Sequence, residues 1–236
     1  MEHAQPRRFS RRRVEQLLSK AKSQRSAGSR LEILSRHFLG QPYAFPSLVG
    51  SAETPEVFTA SLDTFDCVTY VETSLALALS SSPDDFVEWL RKIRYENGRV
   101  EWERRNHYMT GWIRSNVRAG TLRRPPLRDV TPVVKKRMLN VVPGLPAVRS
   151  RFSCIPRRAF GKLAVQLQTG DLIFFASTKN HLDVFHCGII VRDGETVRVR
   201  HASRSRGAVV EQDLNEFLKT NRMAGVIVAR PRGSAS

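Results

Sequence analysis

The stretch from Ser61 to Leu79, SLDTFDCVTYVETSLALAL, constrains the fold of this chain more than any other. Val68, Val71, Leu75 and Leu79 recur at helical spacing with Ala76 and Ala78 between them, which predicts a helix with a strongly apolar face. Asp63 and Asp66 stand at its start, where a carboxylate satisfies the first orphan amides and leaves Cys67 in the first helical turn. The positive end of a helix favours a thiolate, the nucleophilic form of the side chain. A free Cys is more commonly a small buried hydrophobe. Taken alone, this one is open to both readings.

The chain has 236 residues and is 41% hydrophobic, which suits one globular domain with a sizeable core. Its 39 Lys and Arg against 22 Asp and Glu give a net charge of +17, which points to a polyanionic partner: nucleic acid, an acidic membrane surface or an acidic polymer such as cell wall. Cys67, Cys154 and Cys187 form neither a disulfide framework nor a zinc-ligand spacing, so no metal and no cofactor is expected. No segment has the length of a membrane-spanning helix. The Arg-rich run from Arg7 to Arg13 precedes no apolar stretch, so no secretory signal is expected.

Residues 1–30 read as a basic arm with one amphipathic helix, striped by Val14, Leu17, Leu18 and Ala21 and docked on the domain rather than on nucleic acid. Residues 31–236 read as a single domain. A short helix from Leu31 to Phe38 is followed by GQPYAFP, whose two prolines impose an extended course. Ser82, Pro83, Asp84 and Asp85 start another helix, with Phe86, Trp89, Leu90 and Ile93 on its inner face. The polar and aromatic run around Asn106 and His107 either lines a groove or packs on the core. From about 120 to 158 the chain is rich in Arg and Pro and reads as an irregular insertion. After Leu167 the pattern changes to short strands at 172–175, 186–192 and 196–202, then a helix at 214–218 and a strand at 225–229. The expected class is α+β, a helical half carrying Cys67 packed on an antiparallel sheet.

Asp193-Gly194 between two β-rich runs is a hairpin signal. With that dipeptide as the loop, Arg192 pairs with Glu195 and the ladder brings His186 opposite His201, with Cβ atoms roughly 4.5–5.5 Å apart. One imidazole can then act as base on a nucleophile while the second orients it. Gly188, Ile190, Val197 and Val199 share these faces and are expected to pack on the Cys67 helix. Two other readings stay open here: a purely structural His pair, or a slipped register that separates the rings. A metal pair lacks a third ligand at suitable spacing, and Asp183 either joins the His or shapes the start of the strand.

Asp66-Cys67 at a helix start, HCGIIV from His186, and His201-Ala202-Ser203 resemble the NlpC/P60 superfamily of papain-like cell-wall hydrolases, as do TGDLIFF from Thr169 and GQPY from Gly40. LDTFDCVTYVE from Leu62, Ile93-Arg94-Tyr95, Arg105 to Tyr108, Trp112 and LDVFH from Leu182 resemble more closely its N-acetylmuramoyl-L-alanine amidase-like branch, over about residues 35–230. The resemblance implies a papain-like fold and hydrolysis of an amide in peptidoglycan. Cys67 would be the nucleophile, His186 the base and then acid, and His201 the orienting group, with the amide of Cys67 facing the oxyanion. Tyr43, Asp66, Glu72, Asn106 and His107 would either contact substrate or make structural hydrogen bonds. The chain would act as a monomer on peptidoglycan, in the cell envelope or periplasm or after secretion.

The scissile bond implied is that between the muramic lactyl group and L-Ala. A cut between D-Glu and the diamino acid, or acyl transfer to lipid, are the alternatives within the superfamily, and a toxin delivered into rival cells is a role compatible with a missing signal. A non-catalytic polyanion or nucleic-acid binder needs aromatics interleaved with its cations. The basic runs at 7–13 and 118–137 hold only Phe9.

Overall fold

The computed structural model describes residues 9–45 and 47–233. Arg7, Arg8 and Pro46 lie outside the described residues. Four helices come early: α1 (Arg11–Lys20), α2 (Ala27–Arg36), α3 (Cys67–Leu79) and α4 (Pro83–Arg94). Ser10, Ser26 and Ser82 cap α1, α2 and α4 by accepting amides of the first turn, and Pro83 occupies the first position of α4, where its missing N–H costs nothing. The apolar stripe of α1 joins Leu31, Leu34, Leu75, Phe86 and Leu90 in the main core, so this basic helix is built into the domain. Every residue of α3 from Thr69 onward is buried. A helix buried on every side lies inside a domain, and α3 runs between the other helices and a sheet.

That sheet has six antiparallel strands in the order β1 (Leu122–Arg123), β8 (Gly225–Pro231), β4 (Leu172–Ala176), β5 (Val184–Asp193), β6 (Thr196–Ser203) and β7 (Ala208–Asp213). Its two faces serve two clusters. Phe174, Cys187, Ile189 and Ala202 point toward α3. Phe175, Ile190, Val197 and Val199 point the other way, under α6 (Phe160–Ala164) and α7 (Leu214–Thr220). Coverage on both faces explains why β4 is a continuous apolar run and buried at all five positions. Ile190, Val197 and Val199 therefore pack on Leu214 and Phe217, not on the Cys67 helix as the alternation suggested.

Two further expectations are revised. The Arg/Pro-rich insertion contains a regular hairpin, β2 (Val133–Leu139) paired with β3 (Val148–Cys154) from Val133–Cys154 to Leu139–Val148. The β5–β6 register is also displaced by two: Asp193 pairs with Thr196, so the loop is Gly194-Glu195, with Gly194 at φ 57°. A shift of two preserves the face of every side chain. His201 thus lies on the same side as His186, diagonally rather than directly opposite.

Asp183 ties the start of β5 to α5 (Met109–Arg118) by accepting the amide and hydroxyl of Thr110, both at 2.7 Å. The extended segment after α2 runs along β7, where Tyr43 N–H donates to Gly207 O and Val209 N–H to Gln41 O. It covers an otherwise open sheet edge.

Candidate active site

The start of α3 is fixed by Asp66. Its Oδ1 accepts the amides of Val68 and Thr69 at 2.9 and 2.8 Å, while Thr69 Oγ1 accepts the Asp66 amide in return. The second oxygen, Oδ2, accepts from Ser47 Oγ. The carboxylate is thereby occupied in capping. The amide of Cys67 is left with no acceptor among the described residues.

β5 extends beyond its last pair with β6, Ile189–Arg200, and α3 begins at that opening. There the Cys187 thiol donates to the Cys67 carbonyl at 3.2 Å. Gly188 is required at this point: a Cβ would lie 2.7 Å from Val199 Cγ2 and 2.9 Å from Arg200 O. The His186 ring stands beside the Cys67 thiol, close enough to draw its titration down. His186 Nε2 is 2.6 Å from His201 Nδ1, and His201 Nε2 is 3.1 Å from Gln212 Oε1. Phe217 of α7 stacks on His186 with centroids 5.6 Å apart and meets His201 edge-on. Both imidazoles are thus clamped against an apolar wall.

The electrostatics separate the titrating groups. The Cys67 thiol is pulled down to about 5, first by the hydrogen bond with Cys187 and then by His186, against the opposing effect of burial. Cys187 is pushed up by the same bond and by burial, so it keeps its proton. His201, only 2% exposed, is lowered to about 4 by burial and by the neighbouring His186. It is a neutral ring at neutral pH. Tyr43 is raised by burial first and then by the negative charges of Cys67 and Asp66, which places its ring within electrostatic reach of the thiol.

The other expected contacts are elsewhere. Glu72 is 2% exposed and is held by Arg94 Nε at 2.7 Å and by Trp112 Nε1 at 3.1 Å. It is a buried structural carboxylate, out of reach of a ligand. Asn106 donates its side-chain and backbone N–H to Arg94 O. His107 is 2.7 Å from Trp102 O, against the Trp102 ring, and burial lowers it to about 4. These two line a separate cavity of about 620 Å³ between α5 and the β2–β3 hairpin. The structure thus gathers Cys67, His186, His201, Asp66 and Tyr43, and sets Glu72, Asn106 and His107 apart. Sequence reasoning missed Gln212, whose strand β7 was not anticipated, and Cys187, which stands beside a residue already singled out. Among the described residues no cluster of His, Cys, Asp or Glu is arranged to hold a metal ion, and no helix is long and apolar enough to cross a membrane.

A thiol at a helix start, an imidazole that can take its proton and a free backbone amide form a constellation suited to acyl transfer at a carbonyl, on an α+β scaffold. The profile of the N-acetylmuramoyl-L-alanine amidase-like (AmiA-like) family matches residues 33–226, and the chain belongs to this family of amidase-type hydrolases. The fold is similar to that of an N-acetylmuramoyl-L-alanine amidase from Bacteroides uniformis, at 24% identity over 87% of this chain and 99% of that one, with a TM-score of 0.75. A protein of Legionella pneumophila aligns over 95% of each chain at 21% identity and a TM-score of 0.82. A search of curated proteins returned no match.

Proposed function

We propose that this protein is a cysteine amidase of the papain-like type that hydrolyses the amide between the lactyl group of N-acetylmuramic acid and L-Ala in peptidoglycan. The observation that carries the reading is Cys67 at the start of α3 within electrostatic reach of His186, whose ring is joined to His201 and through it to Gln212 of β7. Family membership supports the substrate class.

In this mechanism Cys67 Sγ attacks the lactyl carbonyl carbon as a thiolate, and the oxyanion that forms accepts from the free Cys67 amide. The C–N bond breaks as His186 gives its proton to the departing amine of L-Ala, leaving a lactyl thioester on Cys67. His186 then takes a proton from water, whose oxygen attacks the thioester; the acid is released and the thiolate restored. Gln212 and His201 keep the His186 ring aimed at sulfur throughout. Tyr43, beside the thiol, contacts the substrate. The net charge of +17 concentrates the enzyme on a polymer rich in carboxylates, in the cell envelope or outside the cell.

Mass spectrometry of purified muropeptides after incubation with the protein tests this. Free stem peptide beginning at L-Ala, absent with Cys67→Ala, is expected. Shortened stem peptides would move the cut to a peptide bond, and products that persist in the variant would refute the nucleophile.

A further inference from the structure

The β2–β3 hairpin forms its own two-stranded sheet, and its outer face is exposed. On that face Lys136 is paired with Arg151, Met138 with Arg149 and Val134 with Ser153. Like charges directly opposed on neighbouring strands destabilise a sheet. None of Lys136, Arg149 and Arg151 has an acidic partner among the described residues. Beside them is a hollow of about 420 Å³ that Lys136, Met138, Arg149, Arg151 and Asn180 help to line, with no acidic residue in its wall. Val134 and Met138 are 50% and 43% exposed, among the most open large apolar side chains described.

Uncompensated guanidinium and ammonium groups around a hollow are suited to a phosphate. Apolar side chains interleaved with them at an exposed surface are the composition of an element that rests on a lipid interface. Base stacking needs aromatic rings, and this face has none. We propose that the outer face of the β2–β3 hairpin is a docking surface for an anionic phospholipid membrane. A headgroup phosphate enters the hollow between Lys136, Arg149 and Arg151, while Val134 and Met138 reach the boundary between headgroups and acyl chains. The cost of opposing Lys136 to Arg151 is relieved when the anion arrives.

Co-sedimentation of the full chain with phosphatidylglycerol-containing vesicles, and with neutral phosphatidylcholine vesicles as reference, tests this without reference to hydrolysis. The wild type is expected to pellet with the anionic vesicles only, and less at high salt. Lys136→Gln with Arg151→Gln is expected to lower the partition roughly fivefold per charge, the equivalent of about 1 kcal/mol each. Val134→Ser with Met138→Ser should weaken binding as well, and thermal melting checks that both variants are folded. Equal pelleting of wild type and both variants would overturn the proposal. If only the charge variant loses binding and inorganic phosphate displaces the vesicles, the site takes a soluble phosphate and the membrane reading fails. Tighter binding of duplex DNA through the same residues would overturn it in favour of nucleic acid.

Discussion

His201 Nδ1 lies 2.6 Å from His186 Nε2, with the two rings at 88° to each other. Gln212 Oε1 can only accept, so the hydrogen at its contact is on His201 Nε2. His201 Nδ1 is then a bare acceptor, His186 Nε2–H donates to it, and His186 Nδ1 is free for the Cys67 thiol. One amide on β7 sets the direction of the whole relay.

Gln212→Met therefore unfixes the tautomer without touching substrate. We expect kcat to fall about tenfold with KM little changed, while His201→Ala costs about 10²-fold, within the usual range for general acid–base groups. Nitrogen NMR of His201 would report a single Nε2–H tautomer in the wild type and a mixture in Gln212→Met. An unchanged tautomer would refute the relay.

Cys67 should react with iodoacetamide at rates that rise with pH through a midpoint near 5, because the thiolate is present above the lowered value and lost below it. Cys187→Val removes the neighbouring thiol that does most to lower Cys67. The midpoint is expected to rise by about one to two pH units, the size of a hydrogen bond to a charged group. A midpoint that stays put would show that Cys187 only fills space.

Acid should destabilise the fold before carboxylates titrate. The unfolded chain protonates its histidines near the ordinary 6.5, whereas His201 and His107 resist until about 4. Between those values the unfolded state binds more protons, so stability falls as pH falls through this window. For His201 the effect is on the order of 3 kcal/mol. Denaturant titrations at pH 7 and pH 4.5 measure it, and His107→Gln should flatten the slope.

Glu72→Ala leaves Arg94 buried without its carboxylate. Loss of one partner of a buried pair costs about 3–5 kcal/mol, which lowers Tm by roughly 10 °C in a chain of this length. The KM of the folded fraction should not change. A raised KM with normal Tm would return Glu72 to the substrate site.

What was legible in the sequence was local. The cap at Asp66, the apolar period of α3 and the β pattern around His186 and His201 are short-range signals, and they place the thiol and both rings on the elements observed. The loop was misplaced by one position, and the register with it by two, because Asp193 continues the ladder and Gly194 takes the positive φ. An even slip spared the His pair; an odd one would have parted it. The β2–β3 hairpin was hidden because Lys136, Arg149 and Arg151 stand at half of its exposed positions amid an Arg- and Pro-rich stretch, which reads as polar loop. Glu72 looked available on its helix since its partners Arg94 and Trp112 are 22 and 40 residues away. Long-range partners decide whether a polar residue serves the fold or a ligand.

The most direct measurement is peptide mass spectrometry of acid-quenched enzyme during turnover of a defined disaccharide-tetrapeptide. The mechanism requires an acyl group on the Cys67 peptide that carries the disaccharide lactyl unit and no amino acid. Product formation with no adduct on Cys67, in the wild type and in the slower His201→Ala variant, would contradict it.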